Sequence, residues 1–227
     1  MQRIETAESW RIDMGAGETV SATFEPALAQ SNDLYVCAHG AGGHMEDNGM
    51  RAVTAQLRAH LNLVRFNFLY REKKSNRPDP MPQLEACFAT VAAHAVAAVR
   101  PDRLFLGGRS MGGRAGSMLA AHGYACDGLL LLAYPLHPAG QPEKLRDAHL
   151  GRIAVPVLCF NGTRDTLCRQ DLMQQTLQHL SDLWTMHWLA GADHSFHVLK
   201  SSGRSDQDVL VEVADATRAW LAPNAAA

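Results

Sequence analysis

The chain lacks the features that would put it outside the ordinary globular classes. Neither charge is in excess: 21 Lys and Arg against 23 Asp and Glu leave a net charge of −2. That balance supplies no basic face for nucleic acid. No stretch approaches the roughly 18 uninterrupted apolar residues of a membrane span. The first fifteen residues, with Glu5, Glu8 and Asp13 among them, hold no apolar leader core. The five cysteines are an odd number without metal-type CxxC spacing. Cys37 and Cys159 fall in apolar, strand-like runs, where a free thiol behaves as a small apolar residue. A reduced, cytoplasmic protein is the expectation. Low-complexity segments, internal repeats and Gly/Ser-rich linkers are also missing. The 227 residues therefore read as one domain over 1–222, large enough for a substantial core, with a frayed tail at 223–227.

What is present is an alternation of short apolar runs and helical patterns, the signature of a mostly parallel sheet covered on both faces. Strands are expected at 18–25, 34–38, 63–68, 104–106, 128–133, 155–160 and 184–189, about seven in all. Residues 10–13 form a further candidate, pairing with 18–25 across Gly15-Ala16-Gly17. Helices are expected at 49–60, 83–99, 111–122, 169–180 and 206–221. Residues 70–82, with three prolines, read as a loop. Residues 134–152 read as a Pro-containing excursion with at most one helical turn.

One turn concentrates the chemistry. Gly108-Arg109-Ser110-Met111-Gly112 follows the 104–106 strand and precedes a run of small, helix-compatible residues. A serine with glycines two before and two after, on a strand-to-helix turn, is held in a strained conformation with its hydroxyl clear of the sheet. The glycines remove the Cβ atoms that would otherwise clash.

A serine is a weak nucleophile near neutral pH, so it needs a base, and the base needs an orienting acid. Asp165 lies 55 residues after Ser110, just beyond the 155–160 strand. His194 follows 29 residues later, just beyond the last strand. Both then project from the edge of the sheet where Ser110 sits, the edge at which open α/β sheets place their sites. His197 remains a rival base and Asp193 a rival acid. For a developing oxyanion, one N–H donor is Met111, next to the serine. A second comes from the His39-Gly40-Ala41-Gly42-Gly43 loop, from Ala41 first and Gly42 second.

Other residues carry quieter alternatives. His39, His44, His194 and His197 invite a metal reading, but no HExxH-type ligand set supports one, and His39 is expected to anchor its loop by hydrogen bonds. His137, in the 134–152 excursion, is a candidate substrate contact or a loop stabiliser, and Gly42 is a candidate substrate contact. Arg71, Lys73, Lys74 and Arg77 are a solvated loop or an attractor for an anionic ester. Arg109 is expected to pair with a nearby carboxylate.

These pieces resemble the α/β-hydrolase superfamily, and more narrowly a branch of small hydrolases related to dienelactone hydrolase. The carriers are His39-Gly40-Ala41-Gly42-Gly43, Gly107-Gly108-Arg109-Ser110-Met111-Gly112-Gly113, Tyr134-Pro135-Leu136-His137-Pro138, Gly162-Thr163-Arg164-Asp165 and Gly191-Ala192-Asp193-His194. Together they span about residues 34–197. One departure stands out: dienelactone hydrolases proper use a cysteine nucleophile, and this chain has Ser110. The resemblance implies a three-layer α/β-hydrolase fold with a mostly parallel sheet. The 134–152 excursion is too short for a large cap domain. It also implies a serine hydrolase of esters or thioesters, with Ser110, Asp165 and His194 as catalytic residues and Ala41 and Met111 at the oxyanion hole. Neither a cofactor nor a metal is expected, and the partner is a small-molecule acyl substrate bound by a monomer or homodimer. The alternatives are a non-catalytic binding protein on the same fold and an acyltransferase.

Overall fold

In the computed structural model, which describes residues 6–222, eight strands form a single sheet. The strands are β1 (Glu8–Gly15), β2 (Glu18–Glu25), β3 (Leu34–Ala38), β4 (Asn62–Phe66), β5 (Leu104–Arg109), β6 (Gly128–Leu132), β7 (Val157–Gly162) and β8 (Trp184–Leu189). Their order across the sheet is β1-β2-β4-β3-β5-β6-β7-β8. β1 and β2 form an antiparallel hairpin, β2 runs antiparallel to β4, and every remaining pair is parallel. The expected hairpin is thus longer than residues 10–13, and it raises the expected seven strands to eight. The expected tail at 223–227 lies outside the described residues.

Six helices cover the sheet: α1 (Asn48–Leu57), α2 (Leu69–Glu72), α3 (Met81–Val99), α4 (Met111–Ala121), α5 (Gln170–Leu177) and α6 (Asp206–Leu221). α2 is a single turn that runs into the 70–82 stretch expected to be loop, and α3 begins at Met81, before that stretch ends. Alternation along the strands sends side chains to opposite faces and makes two cores. Val36, Leu106 and Leu131 pack with Leu84 and Phe88 of α3 and Ala115 of α4. Tyr35, Phe105, Leu130 and Leu132 pack with Val53 and Leu57 of α1 and Val209 and Val213 of α6. α3 is long and apolar enough to pass for a membrane span by composition. Here its Leu84, Phe88, Val91 and Ala95 face is buried in the first core. The excursion at 134–152 contains one 3-10 turn, Leu150–Arg152, and no cap domain.

The parallel strands all end at one edge, so the loops that follow β3, β5, β7 and β8 converge there. Those loops carry Ala41, Ser110, Asp165 and His194 respectively.

Candidate active site

The turn between β5 and α4 is as tight as its glycines suggest. Ser110 sits at φ 52° and ψ −116°, a conformation rare for any residue with a Cβ. Its N–H donates to Leu132 O over 2.8 Å, which ties the turn to β6. A Cβ on Gly112 would meet Ala38 C at 2.6 Å and His39 O at 2.7 Å, and a Cβ on Gly108 would meet Ala38 N at 2.6 Å. Both glycines are therefore needed for the turn to press against the end of β3.

Three side chains line up across this edge. His194 Nε2 lies 2.9 Å from Ser110 Oγ, and His194 Nδ1 lies 2.8 Å from Asp165 Oδ2. A carboxylate only accepts, so Nδ1 carries the proton and Nε2 is left free to accept from the serine hydroxyl. Asp165 is 5% exposed, and its charge is held by further donors: Leu167 N–H at 2.8 Å on Oδ1 and Asn161 Nδ2 at 3.0 Å on Oδ2. The rivals are engaged elsewhere. Asp193 Oδ1 accepts from the N–H groups of Ser195 and His197, closing a turn. His197 pairs with Asp206 at the surface, which raises its pKa.

Ala41, Ser110 and Met111 share the wall of one cleft of about 470 Å³. A second, of about 350 Å³, is walled by Ala41, Ser110, Arg109 and His194. Met111 opens α4, so its N–H has no acceptor within the helix. Gly42 stands exposed at φ 74°, a conformation the loop needs, and lines neither cleft. Its positive φ gives it a part in shaping the turn.

His39 anchors that turn. It is fully buried, its Nδ1 donates to Gly40 O over 2.8 Å, and its Nε2 accepts from Phe68 N–H over 3.2 Å. Burial pushes its pKa down to about 4, so the ring is neutral with both nitrogens in use. Of the two readings of His137, the contacts favour the loop stabiliser over the substrate contact. It is 1% exposed, its Nδ1 donates to Pro138 O and its Nε2 accepts from Arg169 N–H. With both ring nitrogens engaged, it stabilises the loop and has none to offer a substrate.

Arg109 also differs from expectation. It forms no ion pair among the described residues, and its side-chain hydrogen bond there is a long one, 3.5 Å, to His194 O. Burial lowers its pKa, opposed by the charges of Asp47, Asp193 and Asp165. The basic run serves its own surroundings: Lys73 pairs with Glu18, and Arg71 donates to Ser75 O and Asn76 Oδ1.

Residues 31–222 match the model of the alpha/beta hydrolase domain family. The chain belongs to the α/β-hydrolase family. Among solved structures, it is similar to an alpha-beta serine hydrolase homologue from Coxiella burnetii, at 20% identity and a TM-score of 0.77, over 97% of this chain and 100% of that one. It is also similar to a serine hydrolase without lid from Xanthomonas campestris, at 20% identity and a TM-score of 0.74, over 96% and 97%. A dienelactone hydrolase from Anabaena variabilis aligns at 17% identity and a TM-score of 0.73, over 95% and 96%. At these identities the likeness is one of fold, and it agrees with the absence of a large cap here.

Asn161 was not singled out from the sequence. It is fully buried at the end of β7, and besides Asp165 it bonds Tyr134 through both N–H and C=O. A polar residue closing the apolar run Val157-Leu158-Cys159-Phe160 was the available signal.

Proposed function

We propose that this protein is a serine hydrolase that cleaves carboxylic esters or thioesters through a covalent acyl-enzyme. The observation that carries the reading is the unbroken relay from Ser110 Oγ to His194 to Asp165, at 2.9 and 2.8 Å. Ser110 Oγ attacks the carbonyl carbon while His194 Nε2 takes its proton. Asp165 keeps the proton on Nδ1 and stabilises the imidazolium. The N–H groups of Ala41 and Met111 receive the oxyanion. When the tetrahedral intermediate collapses, the bond from carbon to the leaving oxygen or sulfur breaks and His194 returns the proton to the departing group. Water then adds to the acyl carbon with His194 as base, the Ser110 ester bond breaks, and the free acid leaves. The two clefts that meet at Ser110 give the acyl and leaving groups separate berths. The chemistry draws only on the chain's own residues and a water molecule.

The test is labelling with a fluorophosphonate, mapping of the modified residue, and hydrolysis of a short p-nitrophenyl ester. Modification at Ser110 with turnover supports the reading. A folded protein that is neither labelled nor active overturns it in favour of a binding role.

A further inference from the structure

The 470 Å³ cleft beside Ser110 is apolar over much of its wall, with Met81, Leu84 and Leu167 contributing, but it also carries three charged residues: Arg114, Arg146 and Asp79. Asp79 has a backbone partner, since its Oδ2 accepts from Tyr70 N–H over 3.1 Å. The two arginines are different. Arg114 Nε is buried with no hydrogen-bond partner. Neither guanidinium lies within ion-pair distance of a carboxylate among the described residues, and that of Arg146 makes only a long hydrogen bond there, 3.4 Å, to Pro135 O. Burial lowers the pKa of Arg146, and the neighbouring Arg114 cation lowers it further.

Two like charges on one partly buried wall, with Asp79 in the same cleft but no carboxylate within ion-pair distance of either, are unfavourable unless something else supplies a nearer anion. Guanidinium groups offer planar, paired donors that match a carboxylate. Arg114 lies four residues after Ser110 on α4, one helical turn and about 6 Å along the axis. An anion held there is a short chain away from the carbonyl that Ser110 would attack.

We propose that this cleft receives an acyl group ending in a carboxylate, as in a half-ester of a short dicarboxylic acid, with Arg114 and Arg146 holding the anionic end. The inference rests on the ester-cleaving reading of Ser110, His194 and Asp165. The apolar wall takes the methylene chain, and the oxyanion donors take the carbonyl at its other end. In the reaction the carboxylate stays ionised and unchanged; only the ester bond is exchanged.

The experiment compares monophenyl glutarate with phenyl valerate, which has the same chain length and no charge, by phenol release at low ionic strength. The wild type should favour the glutarate by about tenfold or more in kcat/KM. That ratio should fall by about tenfold in Arg114→Gln and in Arg146→Gln, and recover in part in the Lys variants. A ratio cancels any loss common to both esters. A wild type that prefers phenyl valerate, or a ratio that survives both substitutions, overturns the proposal. If neither ester is cleaved and Ser110 resists the fluorophosphonate, the hydrolase reading fails separately. Titration calorimetry with glutarate then decides the anion site by itself. Saturable binding lost in the Arg114→Gln/Arg146→Gln protein supports it, and no binding to the wild type overturns it.

Discussion

Asn161 and Asp165 form a buried pair in which the amide steadies the acid. Asn161 Nδ2 donates over 3.0 Å to Asp165 Oδ2, the same oxygen that accepts from His194 Nδ1. The other end of the amide accepts from Tyr134 N–H. One side chain thus joins the end of β7 to the segment just past β6 and sets the direction of the carboxylate. Asn161→Ala leaves buried polar groups without partners, so it should lower unfolding free energy by about 1–3 kcal/mol. Denaturant unfolding measures that. Turnover of a p-nitrophenyl ester should fall as well, through kcat more than KM, because the carboxylate loses its orientation.

Ser110→Ala should reduce ester turnover by at least about a thousandfold, because it removes the nucleophile of the proposed mechanism. Ser110→Gly should be equally inactive yet more stable than Ser110→Ala. At φ 52° and ψ −116° a Cβ is strained, and glycine relieves that strain. The difference should be about 1 kcal/mol after the extra freedom of the unfolded glycine chain is subtracted. Thermal melts of the two variants read it directly, and equal melting temperatures would argue against strain at the turn.

Gly112→Ala adds a Cβ where Ala38 C and His39 O already stand within 2.7 Å. The start of α4 must move away from the end of β3, at a cost of about 1–3 kcal/mol or more. The same shift separates the Met111 and Ala41 amides, so kcat should drop even at temperatures where the variant is fully folded. Parallel measurements of unfolding midpoint and kcat test both effects.

Acid should destabilise the fold between pH 6.5 and about 4. His39 and His149 are neutral in the folded protein, with burial pushing each pKa down to about 4. Unfolded, each binds a proton near pH 6.5. Within that window the unfolded chain holds more protons, so stability falls as pH falls; above pH 6.5 the two rings contribute no slope. For the fully buried His39 the loss reaches about 3 kcal/mol by pH 4. Unfolding measured across this range should show the slope, and His149→Gln should make it shallower.

Much of the site could be read from spacing because its causes are local. Glycines two before and two after Ser110 are a steric requirement of a tight strand-to-helix turn, and the apolar runs before Ser110, Asp165 and His194 place all three at strand ends. Alternation of strand and helix is equally local, and it sufficed for the three-layer architecture. The order of strands across the sheet was not legible. It depends on pairing between segments far apart in sequence, such as β3 with β5, and on the register of each pair. For the same reason, that His194 stands against Asp165 while Asp193 and His197 bond elsewhere follows from contacts that only the assembled loops create. The tertiary structure likewise took His137 out of contention by burying it and satisfying both its ring nitrogens. Arg114 and Arg146, 32 positions apart, become neighbours only when the 134–152 excursion folds back over α4. Local sterics are written in neighbouring residues, whereas the meeting of two distant charges depends on how the whole chain packs.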